Sequence, residues 1–131
     1  MTASDPAPRS VLVVDDDDAI REVARVALEV VGGWTVRTAT SGPEAVAAAR
    51  ADPPDALLLD VMMPSLDGPG TVALLRADPR TADVPVIFLT AKARTGTDGG
   101  WDGARVAGVI AKPFDPITLP GEMSRLLGWR P

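Results

Sequence analysis

Asp15 and Asp16, Asp60, Thr90 and Lys112 are the side chains of this 131-residue chain whose types and spacing could do chemistry together, because each group directly follows a short apolar run. Three carboxylates gathered in a small volume repel one another and are costly to keep ionised unless a divalent cation supplies the opposing charge. Mg²⁺ suits such a set, since it prefers oxygen ligands, keeps several waters and commonly takes phosphate as a further ligand. An aspartate can also act as a nucleophile and form an acyl phosphate. Asp60, placed directly after Ala-Leu-Leu-Leu, is the residue expected to do so. Phosphoryl transfer spreads negative charge over the transferred oxygens, so it needs a metal and cationic or hydroxyl partners more than an acid–base pair. Thr90 and Lys112 are the candidates for those partners.

Composition narrows the chemistry further. The chain has no histidine and no cysteine, which removes Ser-His and Cys-His nucleophile pairs, imidazole bases, disulfides and Cys- or His-based metal sites. Its length and its 46% hydrophobic and 24% charged content are those of one globular domain. The apolar runs are far too short to span a bilayer, and the start, MTASDPAP, lacks the basic and apolar regions of a secretory signal. A cytoplasmic protein that engages no membrane is therefore expected. A formal net charge of -5 without a basic stripe gives little attraction to a phosphate backbone, so direct nucleic-acid binding is not expected.

The elements that must position these residues follow from periodicity. Short β-branched apolar runs over 11–14, 56–59, 84–89 and 108–111 read as strands buried on both faces, and the more polar segment 34–38 as a possible edge strand. Ile20, Val23, Ala27, Val30 and Val31 repeat at helical spacing and stop at Gly32-Gly33, a pair suited to a left-handed helix end. Ser41-Gly-Pro-Glu44 is an N-terminal helix signature for a segment running to about Ala51. Further helices fit 68–76 and 117–127. The segment 92–104 holds four glycines, so the fourth helix is expected to be short or mobile. Residues 1–9 read as a disordered lead and residues 10–131 as one domain. Alternating strands and helices imply right-handed crossovers and a doubly wound parallel sheet of the α/β class, five-stranded and flanked by about five helices. Ligands in such a sheet bind beyond the carboxyl ends of its strands.

The blocks VLVVDDDD, DALLLDVMMPSLDG, VPVIFLTAK and GVIAKPFDP resemble, in order and spacing, those of response-regulator receiver domains over roughly residues 9–127. The resemblance implies a flavodoxin-like strand order of 2-1-3-4-5 and a phosphorylation switch of a two-component phosphorelay. It implies that Asp60 accepts the phosphoryl group and binds Mg²⁺, that Asp16 is a direct metal ligand and Asp15 acts through water, and that the backbone carbonyl of Met62 completes the protein's ligands. It further implies that Lys112 pairs with the phosphoryl group, that the Thr90 hydroxyl swings toward it, and that Lys112-Pro113 is cis. Phosphoryl transfer and autodephosphorylation would be self-catalysed, with no enzymatic turnover of a separate substrate. One departure stands out: receivers commonly carry an aromatic residue three positions before the lysine, and here that position is Val109.

Several residues have plainer explanations. Aspartates before a helix are often caps and dipole partners, which suffices for Asp17 and Asp18, and Asp67 with Gly68 reads as a turn and helix start. An aspartate-nucleophile phosphatase of the haloacid-dehalogenase type would use Asp15 as nucleophile in D-x-D, but its usual following Gly-Thr is replaced by Asp18-Ala19. A receiver-fold docking module that is never phosphorylated would have no use for the Asp60, Thr90 and Lys112 set. With no histidine of its own, the chain is expected to receive the phosphoryl group from a histidine kinase or a histidine phosphotransfer protein. The changed surface, over 96–127 in the family, would bind a downstream protein or a second copy.

Overall fold

The computed structural model describes residues 8–91 and 105–129. Five parallel strands, β1 (Ser10–Val14), β2 (Thr35–Ala39), β3 (Ala56–Asp60), β4 (Val86–Thr90) and β5 (Gly108–Ala111), form one sheet in the order β2-β1-β3-β4-β5. The four described α-helices are α1 (Asp18–Val26), α2 (Gly42–Ala51), α3 (Gly68–Arg76) and α4 (Leu119–Leu127). The expected doubly wound topology is present, and the expected fourth helix over 92–104 lies outside the described residues.

Strand alternation divides the core between two faces. Leu12, Val14, Leu57, Leu59, Val86 and Phe88 meet Val46 and Ala49 of α2 and Val72 and Leu75 of α3 on one side. Val11, Val13, Leu58, Ile87, Leu89 and Ile110 meet Ala24 of α1 and Leu119 and Met123 of α4 on the other. All of β1 except Ser10, and all of β3 and β4, are buried, as a strand covered by helices on both faces requires. The floor of the site is thus fully packed on both faces.

Element ends differ from expectation in instructive ways. The fourth strand begins at Val86 rather than at residue 84, because Pro85 has no N–H to give to a ladder. The second runs over Thr35–Ala39 instead of 34–38, since Trp34 donates its N–H to the Leu28 carbonyl at 3.1 Å instead. The last helix starts at Leu119 rather than 117, because Asp115 first makes a turn whose carboxylate accepts the Ile117 N–H at 2.8 Å. Beyond Val26 the first helix widens into a π-helical turn over Ala27–Val31, and Gly33 then turns left-handed at φ 71°.

At the far corner the two ends of the fold meet. Trp34 and Trp129 pack edge to face with ring centroids 5.2 Å apart and planes at 84°. The Arg9 guanidinium lies 4.5 Å above the Trp129 ring, and the Arg9 carbonyl accepts the Thr35 N–H at 2.8 Å.

Candidate functional site

The carboxyl ends of β1, β3, β4 and β5 bring the expected residues to one edge. In β1 and β3, Val14 is in register with Leu59, so Asp15 and Asp60 leave adjacent strands side by side. In β4 and β5, Thr90 is in register with Ala111, and the Lys112 N–H donates to the Thr90 carbonyl at 2.9 Å. Lys112 then reaches back across the strand ends. Its ammonium lies 2.9 Å from Asp15 Oδ2 and 3.4 Å from Asp60 Oδ1. Lys112-Pro113 is cis, as the resemblance implies.

Burial sets the electrostatics. Asp15 is fully buried, Asp60 is 4% exposed and Thr90 1%, whereas Asp16 is exposed. Oxygens of Asp15, Asp16 and Asp60 lie within 4.8 Å of one another. Burial first, and then the neighbouring Asp15 charge, push the Asp60 carboxyl up to about 6, against the opposing pull of Lys112 and the Met62 N–H. Burial alone would lower the Lys112 ammonium, but Asp15 and Asp60 outweigh it and hold it above its ordinary value. One lysine is thus shared by two buried carboxylates.

Two hydrogen bonds shape the acidic loops. Met62 N–H donates to Asp60 Oδ1 at 3.2 Å, and Asp17 N–H donates to Asp15 Oδ1 at 2.9 Å. Asp17 in turn caps α1 by accepting the N–H groups of Ala19 and Ile20 at 2.9 and 3.1 Å. Asp18 pairs with Arg21 at 2.5 Å, and Asp67 caps α3 through Gly70 N–H at 2.8 Å. These three aspartates therefore have the capping and turn roles that sequence assigns them. The Met62 amide was not foreseen; only its proximity to Asp60 in the chain hinted at it.

Asp15 Oδ2 carries the chemical demand of the site. It is fully buried and faces the Lys112 ammonium, yet among the described residues no donor is aligned to hydrogen-bond with it. Three clustered carboxylates, two of them buried and sharing one lysine, are a fit for a hard divalent cation and its waters.

A flavodoxin-like α/β sheet with an acidic, lysine-bearing pocket at its carboxyl edge defines a class of small phosphate-handling domains. Within that class the chain matches the response regulator receiver domain over residues 11–123, and it belongs to that family. It is 39% identical over 120 residues to a probable transcriptional regulatory protein, TcrX, of Mycobacterium tuberculosis, the match covering 92% of this chain and 47% of that one. It is 38% identical over 122 residues to the DNA-binding dual master transcriptional regulator RpaA of Synechocystis, covering 89% of this chain and 48% of RpaA. The chain thus spans about half the length of the curated relatives it matches.

Solved structures agree. The chemotaxis protein CheY4 of Vibrio cholerae superposes with a TM-score of 0.84 at 31% identity, covering 92% of this chain and 99% of CheY4. The receiver domain of the Pseudomonas aeruginosa sensor histidine kinase PA1611 superposes at 0.82 with 31% identity, covering 93% and 99%, and its structure holds a magnesium ion coordinated in the active-site cleft. The chain is therefore a receiver domain of two-component signalling, a phosphorylation-dependent switch, and the phosphatase and docking-module readings are not favoured. Among the described residues no helix is long and apolar enough to cross a membrane.

Proposed function

We propose that Asp60 is the phosphoryl acceptor and that Asp15, Asp16, Asp60 and the Met62 carbonyl hold Mg²⁺. The gathering of three carboxylates, two of them buried, around the single Lys112 ammonium is the observation that carries the metal assignment. When bound, the ion would offset the clustered negative charge and that of the arriving phosphoryl oxygens.

The protein's own groups divide the remaining work. Met62 N–H and Lys112 both engage Asp60 Oδ1, which leaves Oδ2 as the oxygen for attack on phosphorus. A bond forms from that oxygen to phosphorus as the bond from phosphorus to the donor's leaving atom breaks. Lys112, already close to both carboxylates, moves its charge onto the transferred group. Thr90, buried at the end of the neighbouring strand, offers its hydroxyl as a further donor. Val109, in register with Phe88 and packed on the core, stands where receivers commonly carry an aromatic residue, so this position offers no aromatic side chain for a relay from Thr90.

The receiver unit is assigned to residues 10–131, with 1–9 as a lead. The family implies a histidine kinase or a histidine phosphotransfer protein as the phosphoryl donor, and the chain has no histidine of its own to take that part. The output is a surface change over 96–127, recognised by a downstream protein or a second copy. Setting for the reaction is the cytoplasm.

Intact-mass measurement after incubation with a small-molecule phosphodonor tests the assignment. A single base-labile adduct that requires Mg²⁺ and is lost in Asp60→Asn is the expected result. An adduct that survives the substitution would move the nucleophile elsewhere.

A further inference from the structure

Arg21 lies outside the acidic cluster, yet its guanidinium reaches back from the first turn of α1 to the end of β1. One nitrogen, Nη1, donates to the backbone carbonyl of Asp15 at 2.9 Å. The other, Nη2, meets Asp18 Oδ1 at 2.5 Å. The side chain is only 17% exposed, so this fork is partly shielded from water.

The consequence falls on Asp16. Its side chain is exposed and lies at the edge of the acidic cluster, so its position depends on its backbone. The peptide plane before it ends in the Asp15 carbonyl, which Arg21 holds. The plane after it carries the Asp17 N–H, which Asp15 Oδ1 holds at 2.9 Å. Pinning both planes fixes φ and ψ of Asp16, since peptide units are rigid and only these two torsions remain. The direction of its Cβ is then set before any cation arrives.

We infer that Arg21 is a positioning residue for the metal site, fixing Asp16 through the Asp15 carbonyl. This rests on the proposed role of the acidic cluster as a Mg²⁺ site. Outer-shell partners of this kind commonly contribute about tenfold or more to metal affinity. The inference separates from a simple charge effect by sign. A cation beside a cation site repels the ion, so removing Arg21 as mere charge would tighten Mg²⁺ binding, whereas removing it as a clamp weakens it.

Calorimetric titration of the full chain with Mg²⁺ alone makes the test, on wild type, Arg21→Met and Arg21→Lys. The expected order of affinity is wild type, then Arg21→Lys, which can keep one donor to the Asp15 carbonyl but not the fork, then Arg21→Met, which keeps none and is about tenfold weaker than wild type. The Mg²⁺ concentration for half-maximal phosphorylation should rise in parallel, with the rate at saturating Mg²⁺ unchanged. Binding by Arg21→Met as tight as or tighter than wild type overturns the inference. Should Arg21→Met not fold, equal binding by Arg21→Lys and wild type overturns it. A wild type that binds no Mg²⁺ overturns the metal assignment itself, and this inference with it.

Discussion

Asp60 and Asp78 are the same side chain at opposite edges of one sheet, and they are pushed in opposite directions. At the carboxyl edge, burial and Asp15 raise Asp60 to about 6, with one shared lysine to oppose them. At the amino edge, Arg80 above all, through its side chain and its N–H, draws Asp78 down to about 2, with Arg50 adding to the effect. Arg80 contributes three donors to Asp78, at 2.8, 3.2 and 2.8 Å, and Arg50 lies 3.1 Å away. Nearby, Arg76 forks onto the carbonyls of Thr81, Ala82 and Val84 at 3.4, 3.1 and 2.7 Å and onto that of Arg105 at 3.0 Å. The lesson is one of allocation. The amino edge is supplied with donors and holds the loops together, while the carboxyl edge is left short of positive charge at the place proposed for an ion and a phosphoryl group.

The contrast can be broken most forcefully at Arg76. Arg76→Met leaves four carbonyls without their charged donor and should cost about 3 kcal/mol in urea unfolding. Mg²⁺ binding at the other edge should be unchanged, and a loss there would mean that the two edges are not independent.

Asp60→Asn should act in the opposite sense, raising the melting temperature of the metal-free protein at neutral pH by roughly 4 °C, on the order of 1 kcal/mol. The sign follows from linkage. With its folded value at about 6, above the ordinary 3.8, ionised Asp60 weakens the fold above pH 6. That penalty fades as pH falls from about 6 toward 3.8, so metal-free wild type should gain stability on mild acidification and Asp60→Asn should not. Asp78, with its folded value near 2 and an ordinary 3.8, stabilises above pH 3.8 and loses that contribution as pH falls toward 2. Thermal melts across this range, wild type against Asp60→Asn, would show a rise in the wild type alone, followed in both proteins by a fall as Asp78 is protonated; parallel curves throughout would contradict the assignment of the rise to Asp60. The smallest effect is expected from Asp78→Asn, a modest drop in melting temperature at neutral pH, because its partners remain solvated and surface pairs contribute little.

What sequence made legible follows the same division. The strands over 11–14 and 56–59 could be read because burial on both faces leaves an unbroken apolar run. Asp60, Thr90 and Lys112 could be read because each ends such a run, and Asp17, Ser41 and Asp67 because caps act over a few residues. Ser41 Oγ does accept the Glu44 N–H at 3.2 Å. Arg21, Arg76 and the Met62 amide could not be read. A guanidinium that serves a carbonyl looks like any solvated surface charge until the chain is folded, and a backbone N–H has no letter of its own. The π-helical turn was hidden too, since Ala27, Val30 and Val31 suit an α-helix equally well.

The edge-to-face pair of Trp34 and Trp129 gives the molecule an optical property. Two indoles so close couple their transitions, and a coupled pair has a circular-dichroism signature that isolated indoles lack. Because Trp34 leads into β2 and Trp129 follows α4, that signal reports whether the entry to β2 and the end of the last helix are still packed together. It arises at a corner away from the acidic residues, so a titration that changes the site and leaves this signal untouched would show a local event, separated by colour from any loosening of the whole.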